Sequence, residues 1–327
     1  MTGTPPEKPT EKAGRTSYAD RRKARIDALA AASVDEAPGV SMLASAWRRL
    51  RRNPVFLIGA AITITFVVLA IISPWLAPWD PAANPLIDKV RPQTNPVPGP
   101  EAGHPLGADD RGRDLLSRLL VGSRQTLLVG VMATLFGLLG GVTLGTLAGA
   151  FAGWVDSLVM RIVDVMLSIP GLLLAFSIAA LAQRPSQWTL IIAIAVIQVP
   201  IFARMLRGSM LAQRVSDHVL AARALGVKPA AIVFRHMLPN AFGPVIVQAT
   251  LVLAIAIIEA AALSFLGLGN PDDRQPEWGQ MLGKSQEFIN SYPHLAIYPA
   301  TCIIVVALGF TLMGESMREA LDPKSRR

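Results

Sequence analysis

The chain has 327 residues, 52% of them hydrophobic and only 17% charged, with a formal net charge of +8. Soluble domains run about 45–50% apolar and about 25% charged, so this composition leans toward lipid, excludes a disordered scaffold and argues against a soluble two-domain enzyme. The positive excess leaves two readings, a nucleic-acid binder or a membrane protein with basic ends. A single cysteine, Cys302, and four scattered histidines supply neither a disulfide framework nor a pair with metal-ligand spacing, so no metal site is expected.

Residues 1–40 are rich in Pro, Thr, Ala, Lys, Arg and Glu with little hydrophobic period, which predicts a disordered basic cytoplasmic tail. In 41–54 the run SAWRRLRRN sets Trp47 and four arginines before the first apolar stretch, as an interfacial helix on anionic headgroups would. A bilayer core about 30 Å thick needs roughly 20 mostly apolar residues per crossing. Six stretches meet that need: 55–76, 127–150, 158–182, 189–207, 245–268 and 295–314. The first is too long for the apolar core of a cleavable signal and lacks a small-residue cleavage site. The fold class is therefore all-α, a polytopic membrane protein with six transmembrane helices and both termini on one side. With the termini inside, cytoplasmic segments hold 22 of the 31 Lys and Arg and the opposite side nine. The positive-inside rule then makes both termini cytoplasmic. Because the basic residues gather at membrane ends rather than along one element, the nucleic-acid reading weakens.

The external segment 77–126 begins as a proline-punctuated loop and ends as a helix with Leu115, Leu116, Leu119 and Leu120 on one face. Asp109 and Asp110 are expected to shape its turn rather than hold a cation. The second span carries Ala133, Gly137, Gly141, Gly145, Gly149 and Gly153 at four-residue spacing, which predicts close packing inside the bundle. Polar groups at membrane depth are few. Asp156, Arg161 and Asp164 form a candidate structural clasp, with Arg161 and Asp164 spaced to pair on one helix. Glu259 stands alone among apolar residues and either lines a watery path or is satisfied by a neighbouring helix; Gln198 and Gln248 pose the same question more weakly.

The cytoplasmic loop 209–244 carries the strongest functional signal. Ser216 or Asp217 can N-cap a short helix, Gly226 suits its C′ position, and Pro229 can open a second helix that stops before Pro239. The centre, LAARALG, is small and apolar with Arg223 inside it, as a helix docking in a partner's groove would be. This loop resembles the EAA loop of binding-protein-dependent ABC importer permeases, with Ala221, Ala222, Gly226, Leu238 and Pro239 at the family's spacing. APWDP, HPLGADDRGRDLLSRLLVGSR, WVDSLVMRIVDVMLSIPGLLLA, FRHMLPN and EAAALSFLGLG followed by Trp278-Gly279 resemble the dipeptide/oligopeptide branch, in its second-permease type. One departure is Leu220, which stands where the family has glutamate.

The resemblance implies a type I importer architecture: a six-helix permease domain over 55–321 and a cytoplasmic tail at 322–327. It implies a multi-pass subunit of the cell membrane that pairs with a homologous permease. Two cytoplasmic ATP-binding subunits would press on the coupling helix, and an extracytoplasmic binding protein would deliver substrate. ATP and Mg would bind the partner ATPases, with no cofactor in this chain. Di- or oligopeptides lead as substrate, with nickel or glutathione as alternatives and an ATP-independent secondary transporter as the rival class. The segment GQMLGKS mimics a phosphate-binding loop but has three residues between its glycines where GxxxxGK[ST] needs four. No set of residues converges as a catalytic site, so the chain reads as a non-hydrolysing subunit.

Overall fold

The computed structural model describes residues 42–151 and 153–321, so the tails expected at 1–40 and 322–327 lie outside the described residues. By its internal contacts the chain divides after Ser45; up to that point only the start of helix α1, Met42–Leu50, is described. The unit from Ala46 onward holds the rest of the fold. In it Ala46 and Leu50 are buried, and exposed Trp47 meets Phe56 edge-on at 6.4 Å.

Asn53 starts α2, Pro54–Leu76, by accepting from Val55 N at 2.9 Å, with Pro54 at the first turn where no donor is missed. Residues 77–114 then run without a long helix, held by three isolated antiparallel bridges, 91 to 95, 101 to 104 and 108 to 114. Asp114 caps α3, Leu115–Ala150, by accepting from Ser117 N at 2.7 Å. The leucine-faced helix expected in the external segment is thus the first part of α3 itself. At about 1.5 Å per residue its 36 residues span roughly 54 Å, well beyond a bilayer core.

The third span, expected unbroken over 158–182, is corrected to two helices, α4 (Trp154–Ser168) and α5 (Gly171–Ala180), bent by 91°. Pro170 supplies no N–H and pushes Ile169 into an extended conformation, φ −91° and ψ 131°, which ends α4. Helix α6, Gln187–Arg214, is capped by Ser186 and followed by α7, Asp217–Ala224. A turn at Pro229–Ala231 leads through a π-helical segment, Ile232–Met237, into α8, Leu238–Phe265. The second loop helix therefore does not stop before Pro239. The wider π turn absorbs a proline that an α turn would reject, and Asn240 Nδ2 donates to His236 O at 2.7 Å. Short α9, Trp278–Lys284, and α10, His294–Leu321, complete the bundle. Among the described residues five helices are long and apolar enough to cross a membrane, six spans if the bent pair counts as one.

Helix α6 is the central element. Gly141 and Gly145 of α3 face it so closely that a Cβ on Gly141 would sit 2.3 Å from Phe202 Cβ and one on Gly145 2.8 Å from Ala203 O. The close packing expected of the glycine row is what these contacts display, except that Gly153 falls past the helix end, with φ +82°. At the end carrying 77–114, polar residues tie the loops to the bundle. Asp109 accepts from Arg111 N and Arg113 N at 3.0 Å, and Arg113 Nε donates to its other oxygen at 2.7 Å. Arg113 and Arg118 both reach Asp273 O, at 3.0 and 3.2 Å. His104 is stacked on Trp79 and bonded to Asp114 at 2.8 Å. Burial and neighbouring Asp109 raise the Asp110 carboxyl, whereas Lys284, Arg113 and Arg111 outweigh burial to lower that of Asp273.

Candidate coupling surface and transport path

Helix α7 is built by local chemistry. Ser216 takes the N-cap backbone position, although its hydroxyl turns back to donate to Gln213 O at 2.6 Å. At the other end Gly226 adopts φ +73°, Gly226 N donates to Arg223 O and Val227 N to Ala222 O. These two bonds are a Schellman closure, which needs the left-handed residue that glycine supplies without strain. Val219 and Ala222 face inward onto Phe202, Leu206, Met210, Met237 and Val245. Leu220, Ala221, Arg223 and Leu225 face outward; Leu225 is 84% exposed and, with Phe234 and Val215, extends an apolar surface around the helix. Pro239 is exposed and Leu238 half-buried where the π turn meets α8. Sequence reading singled out the small residues but not Leu225, Phe234 or Val215, because an apolar residue in a short loop carries no periodic signal of which way it faces.

The polar residues at membrane depth do not form one group. Gln198 is buried in the seam between α6 and α3, its amide oxygen 3.0 Å from where a Cβ on Gly137 would lie, and neither amide atom has a partner among the described residues. Glu259, on α8, instead points toward α5: its Oε1 is 3.9 Å from the Cβ position of Gly171, and its other oxygen is enclosed without a partner among the described residues. Gln248 is half-buried on α8. At about 100° per residue, Gln248 and Glu259 lie within roughly 20° of one another around that helix.

The clasp requires correction. Arg161 is exposed and makes no ion pair among the described residues. Asp156 instead receives a two-point contact from Arg207, 2.5 Å to Nε and 2.6 Å to Nη2, and Asp164 bonds Arg204 Nη2 at 2.6 Å. Both acids thus bind α4 to α6 rather than closing within α4. The intrahelical pair loses because the fork of an arginine on α6 meets the carboxylates directly, whereas Arg161 leaves the surface on another bearing. The segment GQMLGKS is also no loop: it runs through α9, and a Cβ on Gly279 would lie 2.6 Å from Ala261 Cα.

Known proteins share this organisation. The family described as "binding-protein-dependent transport system inner membrane component" matches residues 141–327, and the "N-terminal TM domain of oligopeptide transport permease C" matches 41–96. A dipeptide transport system permease protein, DppC of Alkalihalophilus pseudofirmus, is 42% identical over 293 residues, 89% of this chain and 93% of its own length. A glutathione transport system permease protein, GsiD of Pectobacterium atrosepticum, is 36% identical over 278 residues, 85% of this chain and 90% of its own. Among solved structures, an inward-facing form of the MetNI methionine ABC transporter superposes with a TM-score of 0.52 at 21% identity, over 64% of this chain and 98% of that one. That last likeness speaks for the fold alone. With five helices long and apolar enough to cross a membrane and a bent pair packed around a central α6, an exposed short helix between α6 and α8, and these relatives, the chain belongs to the inner-membrane permease components of binding-protein-dependent ABC importers.

Proposed function

We propose that this permease imports di- or oligopeptides across the cell membrane, with α7 as the coupling helix pressed by cytoplasmic ATPases. Its partners are a homologous permease subunit, two ATP-binding subunits and an extracytoplasmic binding protein. ATP and Mg belong to those ATPases and no cofactor to this chain. The charge count supports cytoplasmic termini, which puts α7 inside and the 77–114 segment outside. A dipeptide permease at 42% identity and a glutathione permease at 36% both point to peptide-like cargo, the dipeptide reading having the higher identity.

The observation that carries the coupling reading is the outward face of α7. Leu220, Ala221, Arg223 and Leu225 are exposed on a helix whose other face is locked down by Val219 and Ala222. Such a helix can receive a push and transmit it to α6 and α8 through Phe202, Met210 and Val245. With Leu220 in the glutamate position, docking rests on apolar fit and on Arg223. In vesicles holding the complete complex, Gly226→Pro and Ala222→Trp are expected to leave ATP hydrolysis running while peptide uptake per ATP collapses. Proline cannot adopt φ +73°, and tryptophan cannot enter the site that Ala222 fills. Normal coupled uptake in both variants would remove this role from α7.

A further inference from the structure

Between α4 and α8, helix α6 forms the floor of an open groove of about 690 Å³, lined by Leu167, Ile201, Arg204, Met205, Gly208 and Pro244. A Cβ added at Gly208 would meet nothing within 4 Å, so no described residue fills the groove at that point. Arg204 is the charged residue of the lining, and it bonds Asp164 at 2.6 Å with the two side chains 55% and 61% exposed. An ion pair this open adds little to stability, because water meets both charges when it parts. The same face of α4 exposes Leu158, Ile162 and Val165, with Arg161 beside them. Asp164 and Arg204 lie toward the cytoplasmic ends of the apolar stretches 158–182 and 189–207, where a charge faces water or a partner. On the α8 wall Pro244, Gln248, Ile255 and Glu259 fall within about 60° of arc, so polar groups continue along this face from the groove toward the α5 break.

We propose that the Asp164–Arg204 pair is an exchange site for zwitterionic peptides in the transport path. The peptide carboxylate takes the Arg204 guanidinium and its ammonium takes Asp164, so one internal ion pair gives way to two with the cargo. This rests on the peptide-transport reading above and adds the residues that meet the cargo. No covalent bond changes. The planar fork of arginine suits a carboxylate, and neither charge is left unpaired before, during or after passage. Because the internal pair is worth little, the exchange is close to balanced. A conducting path needs that balance, with binding favourable enough to admit the cargo and weak enough to release it.

The test is uptake of dialanine per ATP hydrolysed, in vesicles holding both permeases, the ATPases and the binding protein. In the Asp164→Leu/Arg204→Leu double variant, apolar replacement of an ion pair preserves folding. Uptake per ATP is expected to fall about tenfold, as loss of a charge-assisted hydrogen bond to the cargo would give. The swapped pair Asp164→Arg/Arg204→Asp, which still offers one charge of each sign, is expected to recover most of that loss. Should the leucine pair fail to insert, Asp164→Asn/Arg204→Gln is read on the same scale. Wild-type uptake per ATP in the uncharged variants overturns the proposal. A loss that vanishes when phosphatidylglycerol is left out of the vesicles overturns it too, in favour of a lipid headgroup. A wild-type complex that hydrolyses ATP but imports no dialanine instead overturns the peptide reading itself.

Discussion

Along its α3 side, helix α6 meets glycines; along its α4 side, it meets carboxylates. On the first seam Gly141 and Gly145 let backbones touch, and the three atoms nearest a new Cβ at each are main-chain atoms or a Cβ. On the second, two arginine–aspartate contacts bridge helices whose facing surfaces stay partly open. The first contact has one geometry and resists any shift, because close-packed interiors have no spare volume. The second can part and re-form at little cost, because each charge can be met by water or by another ion. A transporter needs both kinds of seam: a rigid body that carries motion, and a joint along which something can pass or slide.

The sharpest way to break the contrast is to fill the first seam. Gly141→Leu is expected to abolish folded protein, seen as loss of the monodisperse peak in detergent, since overpacking commonly costs about 1–3 kcal/mol even where side chains can yield. Gly140→Ala, whose new methyl would meet only the Val199 side chain, is expected to stay folded. A smaller effect should come from the seam between α9 and α8, where Glu277 caps α9 by accepting from Gly279 N at 3.2 Å. Burial pushes its carboxyl up to about 7 from an ordinary 4.5. The folded state therefore holds a proton that the unfolded chain releases, and stability is full below about pH 4.5 and falls as pH rises through about 7, by on the order of 3 kcal/mol at most. Glu277→Gln should flatten this, so that its melting temperature drops less than that of the wild type between pH 5 and pH 8. The smallest effect belongs to the second seam. Asp156→Asn should lower Tm by no more than a few degrees, with the difference shrinking in high salt, as a pair worth under about 1 kcal/mol would. A large, salt-independent loss would mean that the α4 seam is as rigid as the α3 seam.

Much of this organisation is legible residue by residue. The apolar runs locate the long helices but not their ends, since α3 begins at Leu115 rather than 127 and α6 runs on to Arg214 rather than 207; Ser216, Gly226 and Pro229 mark the two ends of α7 and the start of the turn beyond it. The glycine row reads as a packing face, because spacing alone puts it on one side of a helix. The ion pairs between α4 and α6 are less legible. Arg204 and Arg207 sit in an apolar stretch with no sign of their partners, which lie 40 and 51 residues earlier. Pro170 stands inside an apolar run long enough to cross a membrane in one piece, and nothing local tells a kink from a break of 91°.

What the sequence determined by itself is whatever one or two turns of chain can settle: apolar length, caps, the left-handed glycine at 226, the sidedness of the lysines and arginines. Tertiary structure alone decided which arginine meets which aspartate, that Gln198 faces α3 while Glu259 faces α5, and that Pro239 rides through a π turn without ending its helix. The reason is distance along the chain. Caps and periodicity depend on neighbours three or four residues apart, whereas these pairings depend on where separately formed helices come to rest against one another.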